Sequence, residues 1–169
     1  MRELQISERG LEMPSSPIRK LAPLAYAAED NGVRIYRLNI GQPDLPTPQK
    51  ALDSLKHIDR STLEYSPSQG FRSLRLKLVE YYSRFNIQLS PDDIIITNGG
   101  SEAVLFAFMS TLNPGDEIIV SEPAYANYMA FAVSAGAVIR TVTTTIDEGF
   151  CLPKVEKFEE LINEKTRAI

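Results

Sequence analysis

The sequence of 169 residues contains one Cys, one His and no Trp. Residues that form disulfides or ligate transition metals are therefore scarce. The single cysteine, Cys151, excludes an internal disulfide framework and any metal site that needs several cysteines. Because proteins without disulfides are typical of reducing compartments, the sequence predicts a cytoplasmic protein without a metal centre.

Long apolar runs and an excess of positive charge are also lacking. No run approaches the ~18 apolar residues of a membrane-spanning helix, and residues 1–3 do not lead into the apolar core of a signal peptide. The chain has 18 Lys and Arg residues against 22 Asp and Glu residues, a formal net charge of −4. Since non-specific nucleic-acid binding needs a basic surface, neither a membrane nor a nucleic-acid partner is expected.

The first part of the sequence predicts little regular structure. Six of the eleven prolines lie within residues 1–48, and proline disfavours long helices and strands. We predict an arm here, with a short helix over residues 18–30 and a short strand over residues 34–40.

Regular secondary structure is predicted from residue 49 onward. The predicted helices cover residues 49–57, 71–85, 102–112, 125–135 and 154–164. The predicted strands cover residues 94–97, 117–121 and 138–144, and a fourth begins at residue 166. This alternation predicts an α/β fold with a mainly parallel sheet flanked by helices. Because the sequence stops where a strand begins, we expect the N-terminal part of a longer chain, unless residues 166–169 form a loop.

The segment Asn98-Gly99-Gly100-Ser101-Glu102 is the first candidate for chemistry. It follows a predicted strand and opens a predicted helix, where free N–H groups and the helix dipole favour an anion, above all a phosphate. It is neither a Rossmann fingerprint nor a P-loop, which has a lysine that is absent here. A purely structural turn explains the same pattern equally well.

Tyr125 is the second candidate, because it follows the end of the second predicted strand. Ligands in open α/β sheets bind outside the carboxyl ends of strands, and an aromatic ring there can stack on a flat ligand. A core tyrosine at the start of a helix is the alternative. Two further turn-rich segments, residues 38–44 and 65–70, show no site by their spacing alone.

Read together, these segments stand in a distinctive order. They are SPIRKL at 16–21, LNIGQPD at 38–44, YSPSQGFRSLR at 65–75, TNGGSEA at 97–103, NPGDE at 113–117 and EPAY at 122–125. The series resembles the N-terminal portion of the class I and II aminotransferases, in the branch similar to aspartate aminotransferase. These are fold-type-I enzymes that use pyridoxal 5′-phosphate (PLP).

The resemblance implies a role for each segment. The residues that would bind the PLP phosphate are Gly99, Gly100, Ser101 and Glu102. Tyr125 would stack on the pyridine ring, and Tyr65 would reach the phosphate bound by a second subunit, so that a homodimer is expected. Gly41 would lie against the substrate carboxylate, and the bond before Pro123 is expected to be cis. The substrates would be an amino acid, aspartate among them, and a 2-oxo acid.

The resemblance also implies what residues 1–169 do not contain. No lysine here matches the family's Schiff-base lysine motif, so we expect no catalytic residue in this sequence. The lysine is expected beyond Ile169, and this chain alone is expected to be inactive. Residues 1–48 would form an N-terminal arm and substrate segment, and residues 49–169 the first part of the PLP-binding large domain.

Alternatives remain open from the sequence. Another fold-type-I PLP enzyme, a β-lyase or a cyclopropane-forming synthase, would share these segments. A regulator that senses PLP would carry a basic DNA-binding module ahead of them, where this sequence has only a short arm. A plain phosphate-binding or nucleotide-binding α/β module would explain the glycine turn but not the order of the segments.

Overall fold

A computed structural model describes residues 5–59 and 61–169. The chain divides into two compact units, one holding the chain up to Ile35 together with Asn98–Ile169 and the other holding Tyr36–Thr97. The helices are α1 (Glu8–Glu12), α2 (Ala22–Asp30), α3 (Gln49–Lys56), α4 (Arg72–Ser83), α5 (Gly100–Thr111), α6 (Asn127–Ala135) and α7 (Val155–Glu159). The strands are β1 (Glu117–Glu122), β2 (Val138–Thr143) and β3 (Thr166–Ala168).

The strands of the first unit form a parallel sheet in the order β2-β1-β3. β1 is central, and its register with β2 runs from Glu117 opposite Val138 to Glu122 opposite Thr143. Parallel neighbours need a crossover connection, which α6 provides between β1 and β2. The predicted α/β fold with a parallel sheet flanked by helices is therefore confirmed.

The apolar core of this unit lies where α5 and α6 meet the sheet. Its buried residues are Leu112, Ile118, Ala132 and Ala137, and Phe108 and Val120 pack against them. Successive strand residues point to opposite faces, so Ile119, which is fully buried, belongs to the other face of β1. α6 ends at Gly136, whose φ of +75° suits glycine, and the predicted end of this helix is confirmed.

A polar network closes the amino end of β1. The Glu117 carboxylate accepts two hydrogen bonds from the Arg140 guanidinium, at 3.0 and 2.9 Å, and one from Asn163 Nδ2 at 2.8 Å. These bonds, first those from Arg140 and then the one from Asn163, lower the pKa of Glu117 to about 2. Because the three residues belong to β1, β2 and the turn before β3, one carboxylate connects all three strands.

The Tyr36–Thr97 unit contains α3 and α4 and one buried arginine. Arg75 Nη1 donates to the Pro91 carbonyl at 2.7 Å, which ties α4 to the turn over Pro91–Asp93. Gly70 has a φ of +88°, and a Cβ atom there would lie 2.4 Å from the Ile96 side chain. Glycine is therefore required at the end of the segment 65–70 by both backbone conformation and space.

Two predicted strands are wrong. Residues 94–97 form no ladder, and Ile96 N–H donates instead to the Gln69 carbonyl at 3.0 Å, within the same unit. Residues 34–40 contain local turns instead, with Leu38 N–H donating to the Tyr36 carbonyl at 3.1 Å. A short apolar β-branched run is a strand only where its backbone pairs with a second strand.

The predicted helices are confirmed, although their first and last residues differ from the prediction. Larger differences occur near the two termini of the chain, at the last predicted helix and at α1. The last helix stops at Glu159 rather than at 164, because the chain turns there and Asn163 binds Glu117. α1 was not predicted; the Ser7 hydroxyl caps it by accepting from Gly10 N–H at 3.1 Å. Among the helices that the structure describes, none is long and apolar enough to cross a membrane.

Candidate functional site

The glycine turn at residues 98–100 opens α5. Gly99 is the residue before the helix and has a φ of +87°, a conformation that residues with a Cβ atom rarely adopt. α5 begins at Gly100. The local fold therefore needs glycine at Gly99, whereas the backbone of Gly100 does not demand it.

Backbone donors and open space meet at this turn. Ala103 N–H donates to the Gly99 carbonyl at 3.4 Å, so the N–H groups of Gly100, Ser101 and Glu102 precede the helix's own hydrogen-bond ladder. A Cβ atom built on Gly99 or Gly100 would meet no atom within 4 Å. The glycine side of the turn is therefore open, and the backbone donors and the positive end of the helix dipole favour an anion there.

The Glu102 side chain binds within the turn, whereas its backbone N–H belongs to the donors at the start of α5. Its carboxylate accepts a hydrogen bond from Asn98 N–H, which links the third residue of α5 back to the residue before Gly99. The contact is not a capping box, because Glu102 bonds Asn98 rather than Gly99, the residue in the capping position. The carboxylate thus closes the turn, and only the Glu102 N–H belongs to the donor set for an anion.

Tyr125 lies just beyond the carboxyl end of β1, after the Glu122–Pro123 peptide bond, which is cis as expected. The residue is 48% exposed, and its ring meets the Tyr128 ring edge-on, with centroids 5.4 Å apart and planes at 86°. The Tyr125 hydroxyl accepts a hydrogen bond from Asn127 Nδ2 at 2.9 Å. Tyr125 is therefore not a core tyrosine, because about half of the residue remains exposed.

An open cleft of about 690 Å³ adjoins this tyrosine pair. Its lining is mostly apolar and comes from β1, the start of α6 and the region of α7, including Ser121, Pro123, Leu152, Val155 and Phe158. The helix that follows the glycine turn packs against the helix that follows Tyr125. Five of the predicted site residues thus share the sheet-containing unit: Gly99, Gly100, Ser101, Glu102 and Tyr125.

The other two predicted site residues lie in the Tyr36–Thr97 unit. The Tyr65 side chain is fully exposed, and a Cβ atom built on Gly41 would meet nothing within 4 Å. Both residues are therefore accessible, and the roles assigned to them stay predictions.

Sequence reasoning missed Asn127. The predicted helix began at Tyr125, which would have made residue 127 an ordinary helical position. In the structure α6 begins at Asn127, and the side chain bonds Tyr125. Asparagine is enriched near helix starts because its short amide forms local hydrogen bonds, and this enrichment is the signal that could have pointed to a side-chain contact of Asn127.

Comparison with known protein families settles the family. A family model described as "Aminotransferase class I and II" matches residues 33–169. The chain belongs to this aminotransferase family. The resemblance seen in the segment order is therefore confirmed, and because enzymes of this family use PLP, PLP is the cofactor to consider at the glycine turn.

Individual aminotransferases support this membership. The chain is 31% identical over 97% of its length to an aspartate aminotransferase of Thermotoga maritima, and 33% identical, also over 97%, to a (5-formylfuran-3-yl)methyl phosphate transaminase of Methanocaldococcus jannaschii. It covers 44% and 42% of those proteins. An alanine aminotransferase structure from Pyrococcus furiosus matches 96% of the chain with a TM-score of 0.88 and 29% identity, and the match covers 42% of that structure. The chain thus spans less than half the length of these relatives.

Proposed function

We propose that the protein supplies the phosphate-binding turn and the ring-stacking tyrosine of a PLP-dependent aminotransferase. The reaction moves an amino group from an amino acid to a 2-oxo acid. The observation that carries the proposal is the glycine turn, where Gly99 adopts a φ of +87°, a helix starts at the next residue and open space faces both glycines. Family membership supports the reaction class.

The phosphate is held by backbone donors. The N–H groups of Gly100, Ser101 and Glu102 donate to its oxygens, and the Ser101 hydroxyl adds a further donor. Gly99 makes this arrangement possible, because its backbone conformation turns the chain sharply into α5. The bond from Asn98 N–H to the Glu102 carboxylate keeps the turn closed while the phosphate is bound.

The pyridine ring is held by Tyr125. The exposed face of its ring stacks on the flat cofactor, and the apolar cleft beside it limits the access of water to that face. PLP, when bound, supplies an electron sink for the charge that develops on the amino acid. The part played by Tyr125 is to fix the plane in which that chemistry occurs.

Two further roles extend the proposal to the Tyr36–Thr97 unit. Gly41 lies against the substrate carboxylate, and Tyr65 reaches the phosphate bound by a second copy, which makes the functional form a homodimer. The exposure of both residues supports these roles. Residues 1–48 act as arm and substrate segment, and residues 49–169 form the first part of the PLP-binding large domain.

The lysine that forms the covalent link to the cofactor belongs, in this proposal, to a part of the enzyme outside residues 1–169. Three lysines support this, because each is exposed and paired with an acidic residue on its own helix: Lys56 with Asp53, Lys77 with Glu80 and Lys157 with Glu160. Within residues 5–59 and 61–169, which the structure describes, no lysine lines the cleft beside Tyr125. Aspartate is the first amino donor to test, since relatives named aspartate aminotransferase cover nearly the whole chain.

Calorimetric titration tests the proposal. The probes are pyridoxine 5′-phosphate, which cannot condense with surface lysines, inorganic phosphate and ADP. We expect pyridoxine 5′-phosphate to bind more tightly than inorganic phosphate, and ADP to bind no more tightly than inorganic phosphate. Preference for ADP would instead indicate a nucleotide-binding module, and absence of pyridoxine 5′-phosphate binding would contradict the proposal.

An activity assay tests the assignment of the lysine. The 169-residue chain, supplied with PLP, aspartate and 2-oxoglutarate, should form no glutamate. Turnover by this chain would show that one of its own lysines serves the reaction.

A further inference from the structure

The surroundings of Tyr125 restrain its ring at three points. Tyr128 N–H donates to the Tyr125 carbonyl at 3.0 Å, which closes a turn and fixes the backbone. Asn127 Nδ2 donates to the Tyr125 hydroxyl at 2.9 Å. The Tyr128 ring meets the Tyr125 ring edge-on at 5.4 Å. The backbone, the tip and one side of the ring are therefore each held by a different contact.

Asn127 does not perform the usual task of an asparagine at a helix start. The residue in the capping position of α6 is Ala126, and no side chain there bonds the helix's backbone N–H groups. The Asn127 amide is directed to a phenol oxygen two residues away instead. It contributes to the orientation of Tyr125 through a contact that helix formation does not require.

The two side-chain contacts restrain different motions. The Tyr125 hydroxyl lies on the axis that joins Cβ to the ring, so a hydrogen bond to it fixes the direction of the ring but only weakly its rotation about that axis. That rotation is soft in tyrosine, because the ring torsion has a broad distribution. The edge-on contact with Tyr128 restrains it. Direction and plane are both defined only when both contacts are present.

We infer that Asn127 is a positioning residue, which sets the direction of the Tyr125 ring before the cofactor binds. The inference rests on the proposed function, in which that ring stacks on the pyridine of PLP. A ring that is already oriented loses less conformational freedom when the ligand binds, so the amide raises affinity for the ring of the cofactor. Affinity for the phosphate is set at the glycine turn and does not depend on this amide.

Calorimetry on three variants tests the inference. Asn127→Leu keeps the side-chain size but removes the donor, and Tyr125→Phe keeps the ring but removes the acceptor. Each should weaken pyridoxine 5′-phosphate binding by about fivefold, the effect of one lost hydrogen bond, with inorganic phosphate binding unchanged. The double variant should lose no more than either single variant, because both remove the same bond. Asn31→Leu, which removes an exposed amide bond to the Ala27 carbonyl, is the matched control and should bind like the wild type.

A ligand-free measurement separates this inference from the proposed function. In the NMR spectrum of the free protein, Tyr125→Phe should shift the side-chain amide resonances of Asn127 and leave those of Asn31 in place. If the wild type binds no pyridoxine 5′-phosphate, the proposed function is wrong and the inference falls with it. If the wild type binds but Asn127→Leu binds equally well, or weakens inorganic phosphate binding to the same degree, the inference alone is wrong.

Discussion

The two ends of β1 differ in almost every physical property. At the amino end the Glu117 side chain is only 5% exposed, and its two oxygens accept three hydrogen bonds from Arg140 and Asn163. Next to it, Asp116 accepts from Asn113 N–H at 2.7 Å and lies 3.6 Å from the Arg167 guanidinium. The carboxylates at this end are therefore shielded from solvent and paired with hydrogen-bond donors or arginines.

At the carboxyl end β1 finishes with Glu122, which accepts from the Thr143 hydroxyl at 2.7 Å, and beyond it the surface is mostly apolar and open. Pro123, Tyr125 and Tyr128 border a cleft there, and Leu152 and Val155 on the other side of it are largely exposed. Exposed apolar side chains around a concave surface mark a place for ligand or protein. The contrast indicates that the amino end of the strand stabilises the sheet, and it supports the proposal that a ligand binds beyond the carboxyl end.

The largest expected effect comes from breaking the closed end. Glu117→Gln replaces one acceptor oxygen by an N–H donor that faces the donors of Arg140 and Asn163. We expect the melting temperature to fall by about 5 °C, since a shielded carboxylate loses its charge opposite a half-exposed arginine and one of its acceptor oxygens. Thermal unfolding followed by circular dichroism measures this change.

Glu160→Gln is the matched control for that variant. Glu160 pairs with Lys157 on the surface of the chain, where both side chains are more than half exposed, so its melting temperature should match the wild type. Folded Glu117→Gln should still bind pyridoxine 5′-phosphate at low temperature. Loss of binding in the folded variant would contradict the separation of the two ends.

Lowering the pH is a second way to disrupt the hydrogen bonds of the Glu117 carboxylate. The pKa of Glu117 falls from its ordinary 4.5 to about 2 in the folded protein. A lowered folded-state pKa means that the stabilisation is complete above pH 4.5 and is lost as the pH falls towards 2. The melting temperatures of the wild type and Glu117→Gln should therefore converge over this range, as thermal melts at several pH values would show. A gap that stays constant would mean that the Glu117 charge contributes nothing.

Gly99→Ala tests whether the backbone conformation of the glycine turn sets the affinity for phosphate. A methyl group at a φ of +87° strains the backbone, and we expect the affinity for both pyridoxine 5′-phosphate and inorganic phosphate to fall about tenfold. Gly32→Ala is the control, because Gly32 has a φ of +78° and equally open surroundings. Calorimetry on both variants measures the change. Equal losses in the two would show a general loss of folding instead of a local effect.

Tyr125→Ala should give the smallest effect and the most selective one. Removal of the stacking ring should weaken pyridoxine 5′-phosphate binding about eightfold, more than Tyr125→Phe does, and leave inorganic phosphate binding unaffected. Tyr26→Ala, at an exposed tyrosine of α2, is the control for loss of an aromatic surface residue. The same calorimetric titrations measure both affinities. An equal loss of affinity for pyridoxine 5′-phosphate and inorganic phosphate in Tyr125→Ala would contradict a role in stacking.

Helices were predictable here because their signals are local. Apolar spacing along residues 71–85 predicted α4, and Gly136 marked the end of α6, since both signals depend on neighbours within one or two turns. The strand at 94–97 was wrongly predicted because strand formation depends on a partner edge elsewhere in the chain. Residues 166–168 did form a strand, since β1 offers them an edge.

The candidate site was predictable in its parts but not in its supporting contacts. The glycines and Ser101 were visible as a turn before a helix, and Tyr125 as an aromatic residue after a strand. The bonds from Asn127 to Tyr125 and from Asn98 to Glu102 depend on where each helix begins, which sequence patterns define only to within a few residues. The Glu117 network joins residues far apart in sequence and had no local signal.

The most direct test is a backbone amide NMR map of the chain during titration with pyridoxine 5′-phosphate. The account predicts the largest shifts at Gly99–Glu102 and around Tyr125, while the amides of Glu117, Arg140 and Asn163 stay in place. Shifts concentrated at the amino end of β1, with the glycine turn unmoved, would contradict the claim that binding and stability occupy opposite ends of this strand.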